Sequence, residues 1–211
     1  MGNTEELIEA LVRDAAPVKL ASHPFAQCAK WMAGGAAYVT LSVMYLGLRP
    51  DLMLRLQSSL FVAELGLLAG IIVATFLSAA LLAFPDMHQK RGVAFAPVSA
   101  LALFVLAIFL AWYADSLRAP LPEHNVECLF SIVSLALLPA AWMLYSIRRF
   151  ASTHPHLAGG IALLCAFSIG ALALRLSEQT DSIVHIVQWH YLPMIGIGIL
   201  GLWLGKVFLR W

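Results

Sequence analysis

The residues best suited to chemistry lie in the stretch DSIVHIVQWHYLP (Asp181 to Pro193), at the start of the last apolar run of the chain. An acid and an imidazole four residues apart share one face of a helix. Asp181 and His185 can therefore serve in two ways. The carboxylate can hold the imidazole in one tautomer as a helix-pinning pair, or the two can offer oxygen and nitrogen ligands to a divalent ion. Trp189 continues that face. His190 lies five residues past His185, about 140° around an α-helix, so it does not extend the face and reads first as a packing or interface residue. Glu64, Glu127, Cys128 and His124 are the other reactive side chains near the same level. With Cys128 as a thiolate, Cys128, Asp181 and His185 make a tentative ligand set for zinc, copper or a similar ion. Cys128, Asp181, His185, His190 and Glu64 are thus the candidate site residues, with the structural alternative open for each.

The elements that must position them are set by the solvent. Of 211 residues, 61% are hydrophobic and 12% are charged, and the net charge is +1. Mean hydropathy is +0.84. A soluble domain carries about 25% charged residues, so the composition describes a chain in a lipid bilayer. The near-zero net charge gives no basic surface for direct nucleic-acid binding. Six runs approach the roughly 20 apolar residues a spanning helix needs: 31–48, 60–84, 94–113, 127–147, 157–175 and 183–205. The connections, such as PDMHQKRG and SEQTD, are short and rich in turn formers and charge. The reading is an all-α membrane protein: a leader (1–30) followed by an antiparallel bundle of six transmembrane helices (31–211).

Orientation follows from the basic residues. With the N-terminus in the cytoplasm, Arg13, Lys19, Lys30, Lys90, Arg91, Arg148, Arg149, Lys206 and Arg210 lie inside, and Arg49, Arg55, Arg118 and Arg175 outside. That excess predicts cytoplasmic N- and C-termini and places Cys128, Asp181 and His185 at the opposite face. Nothing in the first 30 residues resembles a cleavable signal core, and Glu6 stands where a myristoylation signal needs Ser or Thr.

The leader contains a second functional candidate. Asn3 with Glu6 forms a plausible capping box, and the pattern predicts a helix over about 4–16, stopped by Pro17. Leu7, Ile8, Leu11 and Val12 fall on one face, with Glu5, Glu6, Glu9, Arg13 and Asp14 around the rest. A three-turn helix is marginal alone in water, so the stripe needs a surface to cover it. Membrane-surface helices carry Lys or Arg on the polar face. This one is acidic in its first half, which favours a protein groove; a solvated leader is the plain alternative.

The leader EELIEALVRDAAPV, LGLRPDL after the first run, ECL opening the fourth, the D…H…WH.LP pattern of the sixth and the terminal LRW occur in an order that resembles the NrsF (negative regulator of sigma F) family. These are bacterial inner-membrane anti-sigma factors with six spans, and the resemblance covers the whole chain. It implies that the leader holds an extracytoplasmic-function sigma factor at the membrane, through Leu7, Ile8, Leu11 and Val12, until an envelope signal linked to metals or oxidants releases it. It also implies two cysteines on the periplasmic side. Cys128 matches the first. The second position falls near Ser177 and Glu178, where this chain has none. Cys28, at the cytoplasmic edge of the first span, and Cys165, mid-membrane, lie roughly 15–30 Å from Cys128, whereas a disulfide needs Cα atoms within about 7 Å. An intramolecular disulfide is therefore not expected. Cys128 is left for an intermolecular bond or for a place among other ligands.

The remaining motifs read as structural. Gly201 with Gly205, and Gly66 with Gly70, have the spacing for close helix approach. Pro139 inside the fourth run frees a backbone carbonyl. No HExxH, phosphate loop or GxSxG is present, so no enzyme is expected. The main competitor is a small proton- or metal-coupled transporter using Glu64, Asp181, His185 and His190. Self-association is left open.

Overall fold

The computed structural model describes residues 4–15, 23–84, 91–115, 126–150 and 152–210. Pro17, Lys19, Lys90, Arg118 and His124 lie outside them. The described residues fold as helices: α1 (Thr4–Asp14), α2 (Pro24–Leu46), the short α3 (Leu52–Arg55), α4 (Ser59–Leu82), α5 (Arg91–Ala94), α6 (Ala96–Asp115), α7 (Val126–Arg148), α8 (Pro155–Ser177), α9 (Ile183–Ile186) and α10 (Leu192–Phe208). Between α9 and α10, Val187–Tyr191 form one π-helical turn.

Among the described residues, five helical rods are long and apolar enough to cross a membrane: α4, Ala96–Tyr113 of α6, α7, α8, and the continuous Ile183–Phe208. The run expected at 31–48 is also helical, as α2, but its glycines, Lys30 and hydroxyl residues make it less apolar. Its 23 residues rise roughly 34 Å.

The bundle is organised around α8, which packs on α10, α7, α4 and α2. Its sequence, LAGGIALLCAFSIGALAL, is apolar on every side, as a helix enclosed by others must be, and most of its residues from Ala158 to Arg175 are buried. Small residues let its neighbours approach closely. A Cβ on Gly201 would meet the Gly159 carbonyl at 2.7 Å, and one on Gly159 would collide with the backbone of Gly201 and Gly205. The expected Gly201–Gly205 contact is thus formed, against Gly159 near the start of α8. Gly66 and Gly70 behave differently: a Cβ on either meets nothing within 4 Å. Their spacing matches the motif, but the face they occupy has no helix against it.

Pro139 does free a carbonyl. A proline cannot donate to the residue four back, and the orphaned Leu135 oxygen accepts instead from the Tyr38 hydroxyl at 2.8 Å. The proline of α7 is thereby used to tie α7 to α2. Two apolar cores fill the bundle. One, around Trp31, Phe76, Met143 and Cys165, lies toward the end where α2 begins. The other, around Ile132, Phe104, Ile186 and Met194, lies toward the end where α2 finishes.

Candidate functional site

The end of the bundle at which α2 finishes gathers nearly all the reactive side chains. The chain leaves α2 through Gly47, whose φ of +88° suits a residue without a Cβ. It then docks by a hydrogen bond from the Arg49 N–H to the Leu176 carbonyl at 3.1 Å, across to the last turn of α8. That contact carries the fully buried Arg49 side chain into a lattice of ions.

Arg49 donates to both Asp51 oxygens at 2.8 and 2.9 Å and to both Asp181 oxygens at 3.2 and 2.9 Å. Arg55 pairs with Asp181 at 2.6 Å and with Asp51 at 3.3 Å. Arg175, near the C-terminus of α8, grips Glu64 of α4 through two hydrogen bonds and reaches the Thr180 carbonyl at 2.9 Å and Asp181 at 3.3 Å. The Tyr191 hydroxyl donates to the same Glu64 oxygen that Arg175 Nε holds. The guanidinium carbons of Arg49 and Arg175 lie 5.3 and 5.0 Å from the centroid of the Phe61 ring, a favourable placement for cations. Three arginines thus face three carboxylates with no net charge, the condition for burying ions beside lipid. Hydrogen bonds from Arg49, then Arg55, hold the Asp51 carboxyl down at about 2. The same Asp51 contact pushes the Arg49 guanidinium further up.

Beside this lattice is a second group. Cys128 lies in the first turn of α7, and Glu178 caps the C-terminus of α8. His185 belongs to α9 and His190 to the π turn. The Cys128 thiol donates to Glu178 Oε1 at 3.1 Å. His190 Nε2 is 3.4 Å from Glu178 Oε2, and His185 Nε2 is 4.0 Å from Oε1. One donor atom from each of the four residues lies within 4.8 Å of every other. Glu178 Oε2, Ser182 Oγ, His185 Nε2 and both ring nitrogens of His190 are buried without a hydrogen-bond partner among the described residues.

The π turn explains the histidine pair. Pro193 has no N–H to give to Trp189, and its ring crowds that carbonyl, so the preceding turn widens. The Leu192 N–H reaches back five residues to Val187 instead of four. Residues five apart then take the positions that residues four apart hold in an α-helix. His185 and His190 consequently face each other, ring centroids 5.5 Å apart. The 140° separation expected for a regular helix does not hold here.

Of the predicted site residues, Cys128, His185 and His190 come together, whereas Asp181 and Glu64 belong to the arginine lattice. Asp181 precedes the Ser182 N-cap of α9, so the four-residue spacing to His185 does not place the two on one helical face. The expected Asp181–His185 pair is replaced by Glu178 among the histidines. Sequence reasoning also missed Arg49, Asp51, Arg55 and Arg175 as a unit. At the other functional candidate, α1 forms as expected and stops at Asp14. Leu7, Ile8, Leu11 and Val12 are 54–70% exposed, with no buried residue anywhere in the helix.

A family profile described as "Negative regulator of sigma F" matches residues 11–211. The chain belongs to the NrsF family. Among its relatives in the family is the "Anti-sigma-F factor NrsF" of Caulobacter vibrioides, 27% identical over 213 residues and 99% of both chains. Another is the "Probable anti-sigma-F factor NrsF" of Azospira oryzae, 27% identical over 217 residues and 99% of both chains. No solved structure matches. Family membership makes one contact stand out. The resemblance put a second cysteine near Ser177 and Glu178, and here Glu178 itself faces the Cys128 sulfur.

Proposed function

We propose that this chain is a membrane-anchored anti-sigma factor that holds an extracytoplasmic-function sigma factor through α1 and releases it on an envelope signal. The observation that carries this reading is the unburied stripe Leu7, Ile8, Leu11 and Val12 on a formed helix, in a chain whose relatives are named anti-sigma-F factors. A three-turn helix with four aliphatic residues in water is incomplete, and burying each yields roughly 1.5–3 kcal/mol before ordering losses. Micromolar affinity corresponds to about −8 kcal/mol. One helix in one groove thus suffices for a hold that a signal can undo.

In this reading α2 is the first of six spans, being long enough for the roughly 30 Å hydrocarbon core. An even number of spans returns the C-terminus to the side of α1. The excess of basic residues supports a cytoplasmic location for that side; with the chain in a bacterial inner membrane, the ion lattice and the Cys128 group then face the periplasm. A proton path would need Glu64 free, but Arg175 and Tyr191 both hold it, which disfavours the transporter reading.

The test is co-purification. The full chain is co-expressed with each sigma factor of its host and extracted in mild detergent. One sigma factor should co-purify with the wild type and be lost from a Leu7→Asp, Leu11→Asp variant that still inserts in the membrane. Equal recovery with both would refute the role of α1.

A further inference from the structure

We propose that Cys128, Glu178, His185 and His190 form a binding site for one borderline divalent cation of the zinc type. The first argument is unmet bonding. Buried polar atoms in folded proteins are nearly always paired, yet a carboxylate oxygen, a hydroxyl and three imidazole nitrogens are orphaned together here. His185 and His190 are only 3% and 1% exposed. A purely structural polar cluster would have closed these bonds among its own members.

The second argument is donor chemistry. One thiolate, two imidazoles and one carboxylate are the ligand types of tetrahedral zinc, with bonds of about 2.3, 2.0–2.1 and 2.0–2.2 Å. Ligand atoms around such an ion are separated by roughly 3.3–3.8 Å, from tetrahedral geometry on those bond lengths. The pairs here lie at 3.1, 3.4 and 4.0 Å, and all four atoms lie within 4.8 Å. Closing around an ion therefore takes movements of about an ångström. Hard cations such as magnesium prefer oxygen ligands and would pass over this set.

Charge is the third argument. Binding displaces the Cys128 thiol proton to solvent. Thiolate and carboxylate then balance the two positive charges of the ion, leaving a neutral site in apolar surroundings. The adjoining arginine lattice is already neutral and does not oppose a cation. The ligands also come from three separate parts of the fold: the start of α7, the end of α8, and the α9–π segment continuous with α10. An ion would draw these together, and α7 and α10 both run to the far end of the bundle. A disulfide offers no substitute, since all three cysteines are free.

The test uses the full chain in lipid nanodiscs, without a sigma factor, titrated with Co2+ and then Zn2+. The wild type should bind one equivalent of Co2+, with a thiolate-to-cobalt charge-transfer band and the intense visible bands of a tetrahedral ion, all displaced by Zn2+. Cys128→Ser should lose the thiolate band, and His185→Gln or His190→Gln should weaken binding by about a hundredfold, the upper end of what even an outer partner of a ligand contributes. Glu178→Cys, which places a second thiolate opposite the first, should keep the site and intensify the band. No saturable binding by the wild type, or a spectrum unchanged by Cys128→Ser, overturns the site.

Discussion

Arg175 and Glu64, 111 positions apart in the chain, meet as a bidentate pair at 2.8 and 3.1 Å, both side chains nine-tenths buried or more. The pair ties the last turns of α8 to the first turns of α4. Removing one partner of such a pair leaves a buried charge unmatched, at a typical loss of 3–5 kcal/mol. Glu64→Ala should therefore lower stability by several kcal/mol, measured as the midpoint of denaturant unfolding in detergent. A Glu64→Leu, Arg175→Met double variant should recover most of that loss.

Asp51 gives the loop between α2 and α3 an acid-sensitive contact. Its carboxyl is held at about 2 in the folded chain, against an ordinary 3.8, chiefly by hydrogen bonds from Arg49. The folded value is the lower one, so the stabilisation is complete above about pH 3.8 and fades as pH falls toward 2. Thermal midpoints recorded between pH 5 and 2 should fall more steeply for the wild type than for Asp51→Asn. Parallel profiles would mean that Asp51 contributes nothing of this kind.

Close approach of α8 and α10 makes a third prediction. A Cβ on Gly205 would strike the Pro155 carbonyl, which is backbone and has little room to yield. Gly205→Ala should lower stability by about 1–3 kcal/mol, as overpacking does. Gly66→Ala and Gly70→Ala, facing open space, should lie within about 0.5 kcal/mol of the wild type. Unfolding midpoints of the three variants decide this.

The hydroxyl of Tyr38 should matter only because of Pro139. Tyr38→Phe orphans the Leu135 carbonyl and should cost about 1–3 kcal/mol. In a Pro139→Ala background the backbone N–H at position 139 becomes the helix's own donor to that carbonyl, and the same change should cost markedly less. A double-mutant cycle on unfolding free energies reads the difference.

Run length and hydropathy made the helices legible, because the demand for about 20 apolar residues is written directly into the chain. The leader was legible for the same kind of reason: Leu7, Ile8, Leu11 and Val12 repeat with the period of a helix, and α1 forms there. The cluster of Cys128, Glu178, His185 and His190 was legible only in part. Cys128 and His185 stood out by residue type, but His190 looked misplaced because periodicity assumes a uniform α-helix. Pro193 was the available signal, since a proline forces some change in the turn before it. Glu178 was marked only by the resemblance, which put a second cysteine near it; its contact with Cys128 depends on how the α8–α9 loop folds back on α7. The arginine lattice was hidden for the same reason. Arg49, Arg55 and Arg175 read as flanking charges counted for topology, and only tertiary contact turns them into partners of Asp51, Asp181 and Glu64. Gly66 and Gly70 misled in the opposite way, because a spacing motif does not say whether a helix lies opposite.

If α1 is the sigma-holding element, its loss must appear in the affinity for the sigma factor. The full chain in nanodiscs would be titrated with the purified sigma factor that co-purifies with it, beside the Leu7→Asp, Leu11→Asp variant. The account predicts a dissociation constant near micromolar for the wild type and a loss of at least about a hundredfold in the variant, equivalent to some 2.7 kcal/mol. Equal affinity of the two would contradict it and move the binding surface to another part of the chain.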